Sequence, residues 1–161
     1  MDACVLIDFI NADRSVLKLI GNHVGTIHVI SPVIDEVKSV KDKSELLKLG
    51  LVKTEIELSD AFTAANSKGS ISVNDRLCLL TAKRHGFICV TNDKKLREHC
   101  KSEEITIMWG LELIANLHNA NGISSNGAIS IAQAIHESNP KHITSKLVSE
   151  FNKIIKRQEK Q

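Results

Sequence analysis

The chain has 161 residues, 42% of them hydrophobic and 25% charged, a balance that suits one globular domain with a real core and excludes a disordered chain. The formal net charge of +2 is too small for electrostatics alone to argue for nucleic-acid binding. Aromatic residues make up 3% with no Tyr, which excludes base stacking as a large part of any recognition. No apolar run approaches the ~18 residues of a membrane span, and nothing at the N-terminus resembles a signal peptide. Four cysteines, Cys4, Cys78, Cys89 and Cys100, show no CxxC pairing, so a cytoplasmic protein with reduced, mostly buried thiols is expected.

In chain order, Met1 and Asp2 open onto the apolar run at residues 3–7. Residues 15–20 read as a helix ending at Gly21, and 26–30 alternate as a β-branched strand. Ser31 and Pro32 then start a helix as N-cap and N1, with Glu36 one turn in. Residues 41–48 are charged and helical up to the breaker Gly50, 51–58 alternate like an edge strand, and 59–66 suggest a short helix before a polar loop at 67–70. The stretch 71–96 organises the rest. Ser72 and Asp75 form a capping box, Lys83, Arg84 and His85 sit at the negative end of the helix dipole, and Gly86 supplies a left-handed C′ residue. Residues 87–90 are a short buried strand, and the chain turns polar at Thr91, Asn92 and Asp93 before a helix at 94–100 and a strand at 105–108. From Trp109 onward all reads as helix. Leu111, Ile114, Ala115 and His118 share a face before Gly122, Ser130 and Gln133 form a second capping box for a helix stopping near Pro140, and Leu147, Val148, Phe151, Ile154 and Ile155 form a last stripe trailing into residues 156–160.

Alternating strands and helices predict an α/β fold with a parallel sheet flanked by helices, and a C-terminal helical extension. The expected organisation is a single domain over residues 1–161, with a sheet-containing core at 1–108 and a helical part at 109–161. The final helices are expected to pack on the sheet, or to present the 147–155 stripe to a second copy or a partner. Asp2, Glu36, Asp75 and Asp93 each fall at or near a strand-to-helix turn. Singly, each is explained as a cap or a first-turn acid. Together they would repel, and folding alone does not gather them without a cation to offset the cost. Carboxylates without accompanying His or Cys favour Mg²⁺ or Mn²⁺ over Zn²⁺.

The motifs DACVLIDF, SPVIDEV, NDRLCLLTAKRHG and VTNDKKL resemble, in order and spacing, those of PIN-domain ribonucleases, over residues 1–108. The resemblance implies a parallel sheet gathering three or four acids around one or two Mg²⁺ or Mn²⁺ ions that activate water against an RNA phosphodiester. By position, Asp2, Glu36 and Asp75 match the core acids, Asp93 the fourth, and Thr91 a frequent polar neighbour. Lys94 and Lys95, with Lys83, Arg84 and Arg97, are candidates for phosphate contact. Many single-domain bacterial members are VapC-like toxins held inactive by a small antitoxin. The resemblance therefore implies a metal-dependent endoribonuclease, as the toxin of a toxin–antitoxin pair. The alternatives are a housekeeping RNA-processing nuclease and a catalytically silent module that binds RNA or protein.

The N-terminus departs from that pattern. In the family a strand precedes the first acid and lies mid-sheet, whereas only Met1 precedes Asp2 here. Either a strand of about five apolar residues belongs upstream, or residues 3–7 are the strand and Asp8 is the ligand.

Overall fold

The computed structural model describes residues 1–40 and 42–158. Asp2 caps the first helix, α1 (Ala3–Asp13), with extended backbone and its Oδ1 accepting the Val5 N–H at 2.9 Å. The strand expected at 3–7 in one register is thus helical. Val5, Leu6, Asp8 and Phe9 are buried, the clustered face of a helix, where a strand would bury alternate residues.

Helix α2 (Ser15–His23) continues through Gly21 instead of stopping there, since one glycine costs a helix interior only about 1 kcal/mol. Then come β1 (Ile27–Ile30) and α3 (Ser31–Glu36), where Ile30 rather than Ser31 holds the cap position and Pro32 lies in the first turn. Asp42 caps α4 (Lys43–Leu49), and β2 (Leu51–Thr54) spans only half of the alternating 51–58 run. Next are α5 (Leu58–Asn66) and α6 (Val73–His85), which carries the Ser72–Asp75 capping box. It ends at Gly86, whose φ of +66° is left-handed, a conformation glycine adopts without steric cost. Strand β3 (Cys89–Val90), α7 (Lys94–Ser102) and β4 (Ile107–Met108) complete the alternating part. Helices α8 (Gly110–Asn119), α9 (Ser125–Ser138) and α10 (Ser145–Gln158) follow. Ser124, not Ser130, caps α9, its Oγ accepting the Gly127 N–H at 3.1 Å. The expected helical Lys41 and the tail at residues 159–160 lie outside the described residues.

The expected single sheet is divided. β1 pairs in parallel with β2, Ile27 opposite Leu51, and β3 pairs in parallel with β4, Cys89 opposite Ile107. Met1 and Asp2 bridge the two pairs: the Met1 amino group donates to the His28 carbonyl at 3.0 Å, and the Asp2 N–H to the Val90 carbonyl at 3.0 Å. A large core joins α1, α2, β1 and β2 to the C-terminal helices, and a smaller one surrounds β3 and α7, with Leu79, Cys89, Leu96 and Cys100 buried. The last two helices, expected to pack on the sheet, make their main contacts with other helices while sharing the large core. Helix α9 lies against α1 and α8, and α10 against α9 and α8. Val148, Phe151 and Ile155 are consumed in that packing, which leaves only Ile154 of the stripe strongly exposed. All four cysteines are free, three of them buried. Among the described residues, no helix is long and apolar enough to cross a membrane.

Candidate active site

Asp2 is placed by two backbone requirements, the bond to the end of β3 and the cap of α1. It is buried, and Thr91, itself fully buried, hydrogen-bonds its carboxylate. Burial pushes the Asp2 carboxyl up to about 6, and the negative charge of Asp75 adds to this. The Thr91 hydroxyl, the Val5 N–H and the Met1 amino group oppose it. Asp75 holds the third position of α6, where its Oδ2 accepts from the Ser72 hydroxyl at 2.8 Å and the Ser72 N–H at 3.3 Å. Asp93 caps α7, its Oδ1 accepting the Leu96 N–H at 2.8 Å, while its own N–H donates to Thr91 Oγ1 at 3.0 Å. Glu36 ends α3, exposed, and accepts from the side-chain amide of Asn74, the neighbour of Asp75. Arg97 lies in the fields of Asp93 and Asp2 together.

Asp2 and Asp93 therefore flank the carboxyl end of β3, Asp75 is near enough to Asp2 for its charge to act on it, and Glu36 meets the start of α6 through Asn74. Three of them, Asp2, Asp75 and Asp93, are turned toward their own helix termini. Among the described residues, no group of three or more His, Cys, Asp or Glu side chains lies close enough together to hold a metal ion. The donor chemistry nonetheless suits a hard divalent cation. Asp75 and Asp93 each commit one carboxylate oxygen to a helix start, Asp2 takes bonds from both the Val5 N–H and the Thr91 hydroxyl, and oxygen-only sets favour Mg²⁺ or Mn²⁺.

Asp8 belongs to a different arrangement. Its carboxylate accepts from the Asn139 amide at 3.0 and 3.2 Å and from the Asn92 amide at 3.2 Å. Burial raises its pKa, and the two asparagines oppose the shift. Asn92 in turn accepts the Gly110 N–H at 3.0 Å. A Cβ at Gly110 would come within 3.3 Å of both amide atoms of Asn92 and of Val5, so a larger residue would have to push these neighbours back by a few tenths of an ångström. The Arg97 guanidinium donates to the Asn92 carbonyl at 2.6 Å and stacks 3.6 Å over the Trp109 ring. The turn carrying Thr91 and Asp93 is thus held from behind by α1, α8 and the end of α9.

Residues 1–102 match the PIN domain. The chain belongs to the PIN domain family. No curated protein and no solved structure matches it. PIN domains are generally nucleases, so the function class is hydrolysis of nucleic acid. The match ends at the last residue of α7, and α8 to α10 lie beyond it.

In this PIN domain the five candidate cations separate by position. Lys94 and Lys95 stand exposed in the first turn of α7 beside Asp93, with Lys94 3.8 Å from Glu98. Lys83 and Arg84 sit at the opposite end of α6 from Asp75, eight or nine residues away and so about 12–14 Å along the axis. They have structural partners there: Lys83 binds Glu103 at 3.2 Å, and Arg84 grips the buried Asp60 through Nε at 2.7 Å and Nη2 at 2.6 Å. The expectation that they face phosphate is corrected by that geometry. Arg97 is committed to Asn92 and Trp109. Asn74, Asn92 and Asn139 are additions that the sequence reading does not contain. Asn74 and Asn92 adjoin acids in the chain, which is a usable signal, but Asn139 meets its partner across 131 positions.

Proposed function

We propose that this PIN domain is a Mg²⁺- or Mn²⁺-dependent endoribonuclease acting in the cytoplasm, and the toxin of a type II toxin–antitoxin pair. The observation that carries this reading is Asp2, a buried carboxyl raised by burial and by Asp75 instead of being matched to a basic side chain. Such a charge weakens the fold unless a cation is recruited. Asp2, Glu36, Asp75 and Asp93 would hold the divalent ion. When bound, that ion supplies an activated water at neutral pH and charge stabilisation at the leaving oxygen. The Thr91 hydroxyl fixes the Asp2 carboxylate, and Asn74 fixes Glu36. Lys94 and Lys95 contact phosphates flanking the scissile bond, which gives affinity without base reading.

The antitoxin reading is supported by α5, where Leu58 and Phe62, one turn apart, are 84% and 72% exposed. An apolar pair of that kind is a face for a protein partner. A second reading, the catalytically silent binding module, is favoured by the lack of a three-carboxylate cluster among the described residues. One assay separates the two: total RNA incubated with and without Mn²⁺, wild type beside Asp75→Asn. Cleavage that needs both metal and Asp75 is expected. Intact RNA in every lane would leave binding as the function.

A further inference from the structure

Helices α9 and α10 pack against each other beyond the part of the chain that matches the family. A cavity of about 420 Å³ opens along their seam, away from the four acids. Its α10 wall carries Ser145, Ser149, Asn152, Lys153 and Lys156, which fall on one face of that helix. Gln133 and His136, three residues apart on α9, form the other wall.

The charge comes from α10. Lys153 and Lys156 are exposed, neighbours on the helix surface, and neither forms an ion pair with a described residue. Glu137, the nearest acid along α9, accepts the Gln133 amide at 3.0 Å, and Glu150 lies off the cavity wall. Two like charges three residues apart repel, and an anion seated between them removes that cost.

His136 and Ser145 supply an acceptor. The Ile143 carbonyl, which can only accept, lies 2.6 Å from His136 Nδ1, so that nitrogen carries the proton. His136 Nε2 is then a lone pair and takes the Ser145 hydroxyl proton at 3.1 Å. With its proton committed, Ser145 Oγ is left as an acceptor. Asn152 adds a second, because its Oδ1 is buried without a hydrogen-bond partner and costs stability until a donor reaches it. The seam therefore matches a ligand that carries an anionic group with a hydroxyl donor close by. A ribonucleotide backbone has both, in its phosphate and its 2′-hydroxyl, whereas DNA has only the first.

The position suits a strand that also reaches the acids. Asn139, one turn beyond His136, bonds Asp8 on α1, and α1 begins at Asp2. Six residues of α1 and three of α9, at 1.5 Å each and joined through that bond, place the seam on the order of 20 Å from Asp2.

We propose that the α9–α10 seam is a ribose-phosphate site for single-stranded RNA, with Lys153 and Lys156 on phosphate oxygens and Asn152 and Ser145 accepting from a 2′-hydroxyl. The choice of RNA as the polymer rests on the nuclease reading above. The pattern of charge and acceptors does not.

The test measures fluorescence anisotropy of a short labelled RNA, its 2′-O-methyl form and the DNA of the same sequence, with the full chain in EDTA so that nothing is cleaved. Lys153→Gln with Lys156→Gln should weaken RNA binding about tenfold and flatten the slope of log affinity against log salt by about 0.7–1.4, for one phosphate or two. DNA and 2′-O-methyl RNA should bind the wild type about five- to tenfold more weakly than RNA, and Asn152→Leu should shrink that preference. Lys18→Gln with Lys101→Gln removes the same charge from exposed positions off this seam and should change little. The proposal is overturned if that control loses as much, if the change at 153 and 156 is silent, or if all three polymers bind the wild type equally. Cleavage with Mn²⁺ is scored separately. RNA bound at the seam but never cut refutes the nuclease reading alone, whereas cleavage beside silent seam variants refutes this proposal alone.

Discussion

Replacing Asp2 by Asn should make the metal-free protein more stable at neutral pH, although it alters a buried, hydrogen-bonded residue. The carboxyl is raised from 3.8 to about 6 by burial first, with Asp75 adding to the rise. A rise of that size corresponds to about 3 kcal/mol lost when the folded protein is forced to ionise this group. The sign follows from proton binding. Between about pH 4 and 6 the folded state holds a proton that the unfolded state has released. Stability from this group is therefore complete below about pH 4, falls as pH rises through about 6, and stays low above. Asn is as good an N-cap as Asp, so the bond to the Val5 N–H survives. Loss of a negative charge at the amino end of α1 returns about 0.5 kcal/mol. The net gain at about pH 7.5 is about 2 kcal/mol, or roughly 4–8 °C in melting temperature for a chain of this size. Urea unfolding followed by circular dichroism in EDTA, at about pH 4 and about pH 7.5, measures the difference directly. Wild type and Asp2→Asn should coincide at the acidic pH and diverge at the neutral one. A constant offset at both pH values, or a less stable mutant at neutral pH, would refute the account of a buried carboxylate awaiting a cation.

Three further outcomes are expected. Mn²⁺ or Mg²⁺ should raise the melting temperature by mass action, about 2.7 kcal/mol at a hundred times Kd, and Asp75→Asn should abolish the rise; a wild type indifferent to millimolar metal in differential scanning fluorimetry counts against a metal site. Asn139→Ala should cost about 1–3 kcal/mol in urea unfolding by depriving buried Asp8 of its principal donor, and the loss should shrink in an Asp8→Asn background because the two residues share one bond. Induced alone in a bacterial host, the wild type should arrest growth, and Asp75→Asn or Asp93→Asn should relieve it. Equal arrest by all three would exclude nuclease toxicity, whereas no arrest beside metal-dependent cleavage in vitro would favour housekeeping RNA processing.

Local chemistry is the legible part of this sequence. Ser72, Asp75, Gly86 and Asp93 announce helix ends through hydrogen bonds made within four residues, and the structure makes those bonds. The same kind of signal misleads at Ser130, because a Ser followed three residues later by Gln also occurs inside helices; Ser124 supplies the cap. The first helix is obscured for another reason. Ala3 to Ile7 is apolar enough to read as a buried strand, and only the cap at Asp2 and the grouped burial of Val5, Leu6 and Phe9 decide for helix. Strand length is overestimated wherever neighbours are assumed. Apolar runs at 87–90 and 105–108 qualify as strands by composition, yet only Cys89–Val90 and Ile107–Met108 pair. The link between Asp8, Asn92 and Asn139 leaves no local trace, since nothing in the residues around Asn139 marks it as a partner of a helix at the other end of the chain.

The double duty of Asp2, Asp75 and Asp93 has a consequence for mutational scanning. Each carboxylate ties down a helix start with one oxygen, so alanine at any of them removes a cap worth about 1 kcal/mol along with the candidate ligand. Against a typical reserve of about 5–15 kcal/mol, two or three such changes together remove about 2–3 kcal/mol, a substantial share of the stability of a marginal domain. Lost activity in an alanine variant then mixes lost stability with lost chemistry. Asparagine keeps the cap and removes the charge, and serine keeps a capping oxygen while shortening the reach. In this domain the ordinary alanine scan conflates two properties that the Asn and Ser series can separate.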